Sequence, residues 1–408
     1  MYVIKVFEHQ LLSCDSEFFT EDHFEALAQF NELHDNKYCT LLHKAVRFKS
    51  YVGVIQLGNL SLEILPKMDR GDGDANYWQR VLLDLLQHCQ LLQIDSFDSA
   101  ALQLEDGSLY QLYLHRFLDE IEGLVKKGLL KTYSRKTLQS QHWKGKVNLN
   151  KQLLLTAKGR ATCYSTLQVF DRNHIWHQLI YQALEVLNGL QLNTSLQVKQ
   201  ARIQKLFPAQ SPVTYNAQTF RKLSYNAKTI GYRSVMQMAE LILMHHCPML
   251  RSGEFPVLGI LFDMNRLFEE YIYRQLLKAI DHDYDWTIER QSSGYFWAEK
   301  TYCPDIILRY RVQPLVIDCK WKQLSTPNPE DNDLRQIFVY QSQVGAKEGW
   351  LLYPALGEQD HFLGEFHRHN EREAMSARLV WAAVIDKESG RLNENLGEEL
   401  LELAIQGF

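Results

Sequence analysis

The chain has 408 residues, of which 46% are hydrophobic and 23% are charged, and its formal net charge is -5. This composition excludes a disordered chain, and the length predicts two or three domains. No run of 18 apolar residues occurs, which excludes a membrane-spanning helix, and the first residues lack the pattern of a secretory signal. The seven cysteines include no CxxC pair, so we expect reduced thiols in the cytoplasm rather than disulfides or a zinc site.

The N-terminal region is predicted to be rich in β-strands, with one inserted helix. Residues 2–7 alternate in hydropathy as a strand does, whereas FTEDHFEALAQFNEL has helical spacing, with Thr20 and Asp22 as candidate caps. The stretch YVGVIQLGNLSLEILPKM predicts a hairpin that turns at Gly58 and Asn59.

The middle of the chain is predicted to be mainly helical. Residues 77–127 carry apolar side chains at spacings of three and four, and LLKTYSRKTLQSQHWKGKVNLNKQLLL then returns to a basic, β-like pattern. A second helical block starts at DRNHIWHQLIYQALEVL and continues to His246. Two prolines and a glycine follow in CPMLRSGEFP, which predicts a domain boundary there.

The last region combines helices and strands. FDMNRLFEEYIYRQLLKAI and NDLRQIFVYQSQV predict helices, and strands are predicted in DYDWTIERQ, YFWAEK, PDIILRYR, PLVIDCKWK, GWLLYPA and RLVWAAVID. The expected fold class is a multidomain α+β or α/β protein. Its expected domains are a β-rich and helical region at 1–160, a helical region at 161–248 and an α/β or α+β domain at 249–408.

Charged residues interrupt two strands that otherwise have the apolar character of a sheet interior. Asp318 and Lys320 are two residues apart and therefore project from one face of their strand. Asp305 begins the preceding strand and lies across from them if the chain turns near Arg311. Converging carboxylates repel each other, and a divalent cation removes that penalty, so we predict a Mg²⁺ site that also accepts Mn²⁺. Beside it, Lys320 is predicted to orient or deprotonate an attacking water, or to neutralise charge on a phosphate.

Two neighbouring helices are predicted to add side chains to this site. On the helix before the strands, Glu269 falls at the edge of the buried face, where it can act as a third metal ligand, while Glu270 is expected to face water. On the later helix, Gln336 and Tyr340 are four residues apart and share a face, as candidate contacts to DNA phosphates or water.

A lone D-x-K motif in a strand is usually explained by a salt-bridged strand end. Here the order is more specific, because a helix with Glu269 precedes Pro304-Asp305, which in turn precedes Asp318-x-Lys320. These residues resemble the PD-(D/E)xK nuclease fold.

Most of the chain resembles the McrC family of restriction-system subunits. The resemblance is carried by YVGVIQLGNLSLEILPKM, then WKGKVNL, then the NRLFEEY helix and the nuclease strands. It implies an N-terminal region that engages a ring of the AAA+ GTPase McrB, whose nucleotide hydrolysis the family stimulates, and a C-terminal domain that cuts double-stranded DNA in anti-phage defence. Asp305, Asp318 and Lys320 match the family's nuclease triad, and Glu269 matches its helix acid.

Other polar residues leave alternatives open. Lys67 and Arg70 are candidate partner contacts or an ordinary solvated turn, and the partner's nucleotide is expected to be GTP, with ATP as an alternative. His142, Trp143, Lys144 and Lys146 suit either a DNA-contact loop or a solvated or partner-facing hairpin. His245-His246-Cys247 is expected to be a helix end rather than a metal site.

Two other functions compete with a partner-driven nuclease. One is a non-catalytic adaptor that activates an NTPase ring and only holds DNA. The other is a stand-alone repair-type nuclease that cuts without a ring partner.

Overall fold

The structure is a computed structural model. It describes residues 2–14, 18–67, 74–91, 108–142, 145–157, 162–247, 255–280, 285–324, 326–355, 359–366 and 375–407. Within these ranges, none of the helices has the length and apolar character needed to cross a bilayer.

Two compact units make up the chain. Unit 1 contains Met1–Ile55, Leu60–Phe97 and Leu261–Phe408, and unit 2 contains Gln56–Asn59 and Asp98–Ile260. The first and last parts of the chain belong to one unit, and the three consecutive domains expected from the sequence stay a prediction. Packing between segments far apart in sequence leaves no mark on local periodicity.

The N-terminal part of unit 1 has the elements β1 (Tyr2–Phe7), β2 (Leu11–Ser13), α1 (Glu21–Leu33), β3 (Cys39–Leu42), β4 (Ala45–Phe48), β5 (Tyr51–Leu57), β6 (Leu60–Leu65) and α2 (Ala75–His88). The predicted helix starts after Thr20, its N-cap. The predicted hairpin is present as β5 and β6, and Gly58 adopts a positive φ of 55° in its turn. β1 pairs in parallel with β6, from Tyr2 opposite Leu60 to Phe7 opposite Leu65.

Unit 2 has the elements α3 (Leu109–Lys127), β7 (Thr132–Ser140), β8 (Lys146–Val147), α4 (Leu149–Ala157), β9 (Cys163–Asp171), α5 (Ile175–Asn188), α6 (Thr194–Leu206), α7 (Ala217–Arg221), α8 (Arg233–Met244) and β10 (His246–Cys247). β11 (Val257–Asp263) begins in this unit and ends in unit 1.

Three of these elements correct the sequence-based expectation. β9 pairs antiparallel with β7 along its length, although it lies in the region predicted to be helical. The LNKQLLL stretch forms α4 instead of a strand, and β11 was not predicted. Short apolar runs do not distinguish a strand from a helix, so their pairing partners decide the outcome.

The C-terminal part of unit 1 has the elements α9 (Met264–Ala279), β12 (Trp286–Arg290), β13 (Gly294–Trp297), β14 (Lys300–Tyr302), β15 (Ile306–Tyr310), β16 (Gln313–Cys319), α10 (Asp331–Val344), β17 (Glu348–Ala355), β18 (Phe362–Glu365), β19 (Ser376–Ala383) and α11 (Leu396–Gly407). The other strands and the helices predicted in this region are confirmed, but YFWAEK, expected as one strand, contains β13, a turn at Ala298 and the start of β14. β18 and α11 were not predicted.

A six-stranded sheet, in the order β12-β15-β16-β17-β19-β18, carries the candidate site. β16, β17 and β19 are mutually parallel, and β15 is antiparallel to β16. Val316 and Ile317 point to opposite faces of β16 and both are fully buried, so both faces of the sheet are covered there. Helix α10 covers one face through Ile337, which packs in one cluster with Val316, Leu351 and Leu379.

Candidate active site

The predicted β15–β16 hairpin places two aspartates side by side. The strands pair from Ile306 opposite Ile317 to Tyr310 opposite Gln313, and the chain turns at Arg311, whose φ is +55°. Asp305 immediately precedes the first pair, and Asp318 immediately follows it. The Oδ2 atom of Asp305 accepts a hydrogen bond of 2.8 Å from the backbone N–H of Cys319. Asp318 is buried, with 1% of its surface exposed.

Lys320 lies at the centre of a polar cluster at the end of β16. Its Nζ atom is 2.7 Å from Asp318 Oδ2 and donates a 2.9 Å hydrogen bond to Gln336 Oε1. The backbone N–H of Lys320 donates to the carbonyl oxygen of Leu352 in β17 at 2.8 Å, which fixes the direction of the chain past the strand end. The ammonium therefore sits among carboxylates on a side chain that remains 21% exposed to solvent.

Helix α9 carries Glu269, the third acid expected at the site. Its N-cap, Asp263, accepts a hydrogen bond from the backbone N–H of Asn265, and its buried face includes Leu267 and Phe268. Glu269 lies at the edge of that face and is half-buried. Burial raises its pKa to about 7, and the negative charges of Asp318 and Asp263 add to that increase.

Glu270 corrects one expectation for this helix. It was predicted to face water, but its side chain is only 15% exposed. Its two carboxylate oxygens are each 2.5 Å from an arginine, one from Arg274 on the same helix and the other from Arg290 in β12. Arg290 lies on a strand that follows the helix, so helical spacing alone does not reveal this pair.

The acids of the site influence one another's pKa values. Burial raises the pKa of Asp305 to about 8, and the charges of Asp318 and Glu269 act in the same direction, against the Cys319 N–H and Lys320. Burial also raises the pKa of Asp318, while Lys320 opposes that shift. For Lys320 burial lowers the pKa, but the carboxylates of Asp318 and Asp333 outweigh it and the net pKa is raised. Lys320 is therefore held as a cation.

Comparisons with known proteins identify the family of this chain. A family model described as "McrBC 5-methylcytosine restriction system component" matches residues 46–354, which is more than half of the chain. The chain belongs to this McrBC family. The resemblance to McrC stated from the sequence is thereby confirmed.

Two solved structures from Thermococcus gammatolerans share the fold. The first, a half-complex of McrB AAA+ hexamers with bound McrC, contains a chain with 18% sequence identity and a TM-score of 0.66, and the match covers 98% of this chain and 100% of that one. The second, a cryo-EM structure of the McrBC complex, matches with 17% identity and a TM-score of 0.50 over 68% of this chain and 88% of that one. No curated protein matches the chain.

Two further residues of this McrBC-family protein, Asp333 and Lys322, lie at the site and were not predicted from the sequence. Asp333, in the first turn of α10, is buried, and its carboxylate is 3.8 Å from Lys320 Nζ and 2.6 Å from Lys322 Nζ. Lys322 also lies 2.9 Å from Glu330. Asp333 is three residues before Gln336 and shares its helix face, and that spacing was a usable signal.

The remaining candidate residues lie in different parts of the structure. Gln336 accepts from Lys320 and donates to the hydroxyl of Tyr340 at 2.7 Å, so both residues lie at the site. Lys67 is half-buried, and its backbone N–H donates to Glu8. Exposed His142 and Lys146 belong to unit 2, as do the residues of the His245-His246-Cys247 stretch. Arg70, Trp143 and Lys144 lie outside the described residues.

The acidic residues fit a hard divalent cation bound by few protein ligands. Within the described ranges, no group of three or more His, Cys, Asp or Glu side chains is placed to hold a metal ion. Mg²⁺ does not require one, because it usually keeps several waters and binds through one or two carboxylates plus substrate phosphates. Asp305 and Asp318 could serve as two such carboxylates, and a cation would relieve their mutual charge repulsion.

Proposed function

We propose that this McrBC-family protein is the Mg²⁺-dependent DNA endonuclease subunit of a restriction complex, with a nuclease domain of the PD-(D/E)xK type. The observation that carries the proposal is the convergence of Asp305, Asp318 and Lys320 at adjoining strand ends, with Glu269 facing them from α9. Two neighbouring carboxylates with a lysine ammonium beside them suit phosphodiester hydrolysis, in which negative charge develops on the phosphate.

Each side chain has a distinct role in this proposal. Asp305 and Asp318 would hold the metal ion, and Glu269 would support its water ligands. The bound Mg²⁺ would polarise the phosphate and lower the pKa of a bound water. Lys320, kept charged by Asp318 and Asp333, orients the attacking water and stabilises the developing charge rather than removing a proton. Gln336 fixes the direction of the Lys320 ammonium through its 2.9 Å hydrogen bond.

The proposed partner is an AAA+ NTPase of the McrB type. The family match and the likeness to the chain in the Thermococcus assembly support this proposal. We further propose that the N-terminal region stimulates the partner's hydrolysis of GTP or ATP, and that double-stranded DNA is the substrate. A cytoplasmic location stays a prediction from the sequence.

Substitution of one buried acid tests the nuclease assignment. Asp318→Ala should lower the rate of DNA cleavage by at least about 10²-fold in the presence of the partner, nucleotide and Mg²⁺. The matched control is Asp331→Ala, an exposed acid of the same domain whose side chain is 84% exposed. It should cleave like the wild type. Cleavage retained by Asp318→Ala contradicts the assignment.

Metal binding and partner stimulation separate the rival functions. Calorimetry with Mn²⁺ and a short duplex should show binding to the wild type and none to Asp318→Ala. Normal stimulation of the partner NTPase, with no metal binding and no cleavage by the wild type, would establish the adaptor. Cleavage at full rate without any partner would establish a stand-alone nuclease.

A further inference from the structure

Trp321 connects the two segments that form the candidate active site. It directly follows Lys320 and is buried, with 6% of its surface exposed. Its ring packs edge-on against Phe268, with 5.4 Å between the ring centroids. Phe268 directly precedes Glu269 on α9, so one indole touches both the segment that carries the lysine and the helix that carries the third acid.

Glu8, immediately after β1, holds this indole in place. Its side chain is almost completely buried, and its Oε1 atom accepts two hydrogen bonds, one of 2.7 Å from Trp321 Nε1 and one of 2.9 Å from the backbone N–H of Lys67. The backbone N–H of Glu8 donates to the carbonyl oxygen of Leu65 at 3.0 Å. Glu8 is therefore fixed to the end of β6 on one side and to the catalytic segment on the other.

Burying the carboxyl group of Glu8 at this position carries a desolvation penalty. An apolar side chain would occupy the same space without the desolvation penalty. Only an acceptor can satisfy both the Lys67 amide and the indole N–H, which would otherwise be buried without a partner. The hydrogen bond also fixes the rotation of the indole ring, which packing against Phe268 alone leaves less defined.

We propose that Glu8 and Trp321 are positioning residues of the nuclease site. Their hydrogen bond sets the orientation of the indole and thereby the placement of Lys320 relative to Glu269. The inference rests on the proposed nuclease function. It connects the first strand of the chain with a segment 313 residues later. Errors of about 1 Å at reacting groups lower rates by as much as about 10²-fold, so such a link can control cleavage without touching DNA.

Three substitutions test the hydrogen bond itself. Trp321→Phe keeps an aromatic ring against Phe268 and removes the N–H donor, whereas Glu8→Ala removes the acceptor. Each should lower kcat for DNA cleavage by about 10-fold or more, with KM for DNA unchanged. The double variant should be no slower than the slower single variant, because both changes break the same bond. Glu8→Gln keeps an acceptor at Oε1 and should restore cleavage to within about 2-fold of the wild type.

Hydrogen exchange supplies a readout that does not depend on activity. The backbone amides of Cys319 and Lys320 are bonded to Asp305 and Leu352. Both amides should exchange faster in Trp321→Phe and Glu8→Ala than in the wild type, and Glu8→Gln should restore slow exchange. Trp297→Phe, at a tryptophan that is 69% exposed, is the matched control and should change neither readout.

The outcomes separate the inference from the function on which it rests. The inference is wrong if Trp321→Phe cleaves DNA at the wild-type rate. It is also wrong if the amides exchange faster without any loss of kcat. If Glu8→Ala fails to fold, Trp321→Phe alone tests the inference. If the wild type itself does not cleave, the proposed function fails, and the exchange experiment still reports whether Glu8 orders the segment that carries Lys320.

Discussion

The two units place buried ionisable side chains in different surroundings. In unit 1, burial raises the pKa values of Glu8, Glu269 and Asp305. In unit 2, burial lowers the pKa of His177 to about 4. In both units burial penalises the charged form, but the surroundings of the buried groups differ.

Both ring nitrogens of neutral His177 have hydrogen-bond partners. The hydroxyl of Tyr232 accepts from the N–H of Leu130 and can therefore donate to Nε2 of His177, while Nδ1 of His177 donates to the carbonyl oxygen of Arg172 at 2.7 Å. The acids of the candidate site instead repel one another around Lys320. A buried ionisable group with complete hydrogen bonds indicates a structural role, whereas buried like charges that converge indicate a ligand site.

The largest expected effect is the loss of cleavage when Lys320 is replaced, compared with replacement of Lys322, the other lysine that contacts Asp333. Lys320→Met should lower cleavage by about 10²–10³-fold, because it removes the only cation we place at the phosphate, while the side chain keeps its length. Lys322→Met loses the ion pairs to Glu330 and Asp333 and should lower cleavage by less than about 10-fold. Single-turnover cleavage measures both. Equal losses in the two variants would contradict the assignment of roles.

The next effect is the response of unit 1 to alkaline pH. Burial raises the pKa of Glu8 from its usual value of 4.5 to about 7. Its contribution to stability is therefore complete below pH 4.5 and is lost as the pH rises through 7. When the pH is raised from 5 to 8, the unfolding free energy of the wild type should fall by about 2 kcal/mol more than that of Glu8→Gln. Urea unfolding at the two pH values measures this difference, and identical pH dependence in both proteins would show that the Glu8 carboxyl does not titrate in this range.

Unit 2 should respond to pH in the opposite direction. The folded pKa of His177, about 4, lies below the usual value of 6.5, so its contribution to stability is complete above pH 6.5 and is lost as the pH falls toward 4. Acidification from pH 7.5 to 5.5 should cost the wild type about 1 kcal/mol more than His177→Gln, which cannot titrate. Denaturant unfolding at both pH values measures this cost. If His177→Gln has the same pH dependence as the wild type, His177 does not contribute to the pH dependence of stability in this range.

The smallest effect concerns the residue that orients Lys320. Gln336→Ala removes the acceptor of the Lys320 ammonium and should lower kcat by about 5-fold, since one hydrogen bond to a charged group is lost. Fluorescence anisotropy should be run beside the cleavage assay. An unchanged kcat with weaker DNA binding would favour the direct phosphate contact predicted from the sequence over the orienting role.

Local patterns in the sequence were sufficient to predict the hairpin that carries the candidate site. Apolar runs mark β15 and β16, and the two-residue period of a strand places Asp318 and Lys320 on one face. The position of Glu269 at the edge of a buried helix face follows from helical periodicity in the same way. These features depend on residues within a few positions of each other, so the sequence determines them directly.

Tertiary packing decided the features that depend on distant segments. The pairing of Glu270 with Arg290, the approach of Asp333 to Lys320 and the hydrogen bond from Trp321 to Glu8 all join separate elements. The assignment of the first and last parts of the chain to one unit has the same origin. Periodicity specifies which face of an element is buried, but many packing partners satisfy the same apolar face. The sequence alone therefore determined the acids and the lysine of the site, and only the folded chain decided which residues hold them in place.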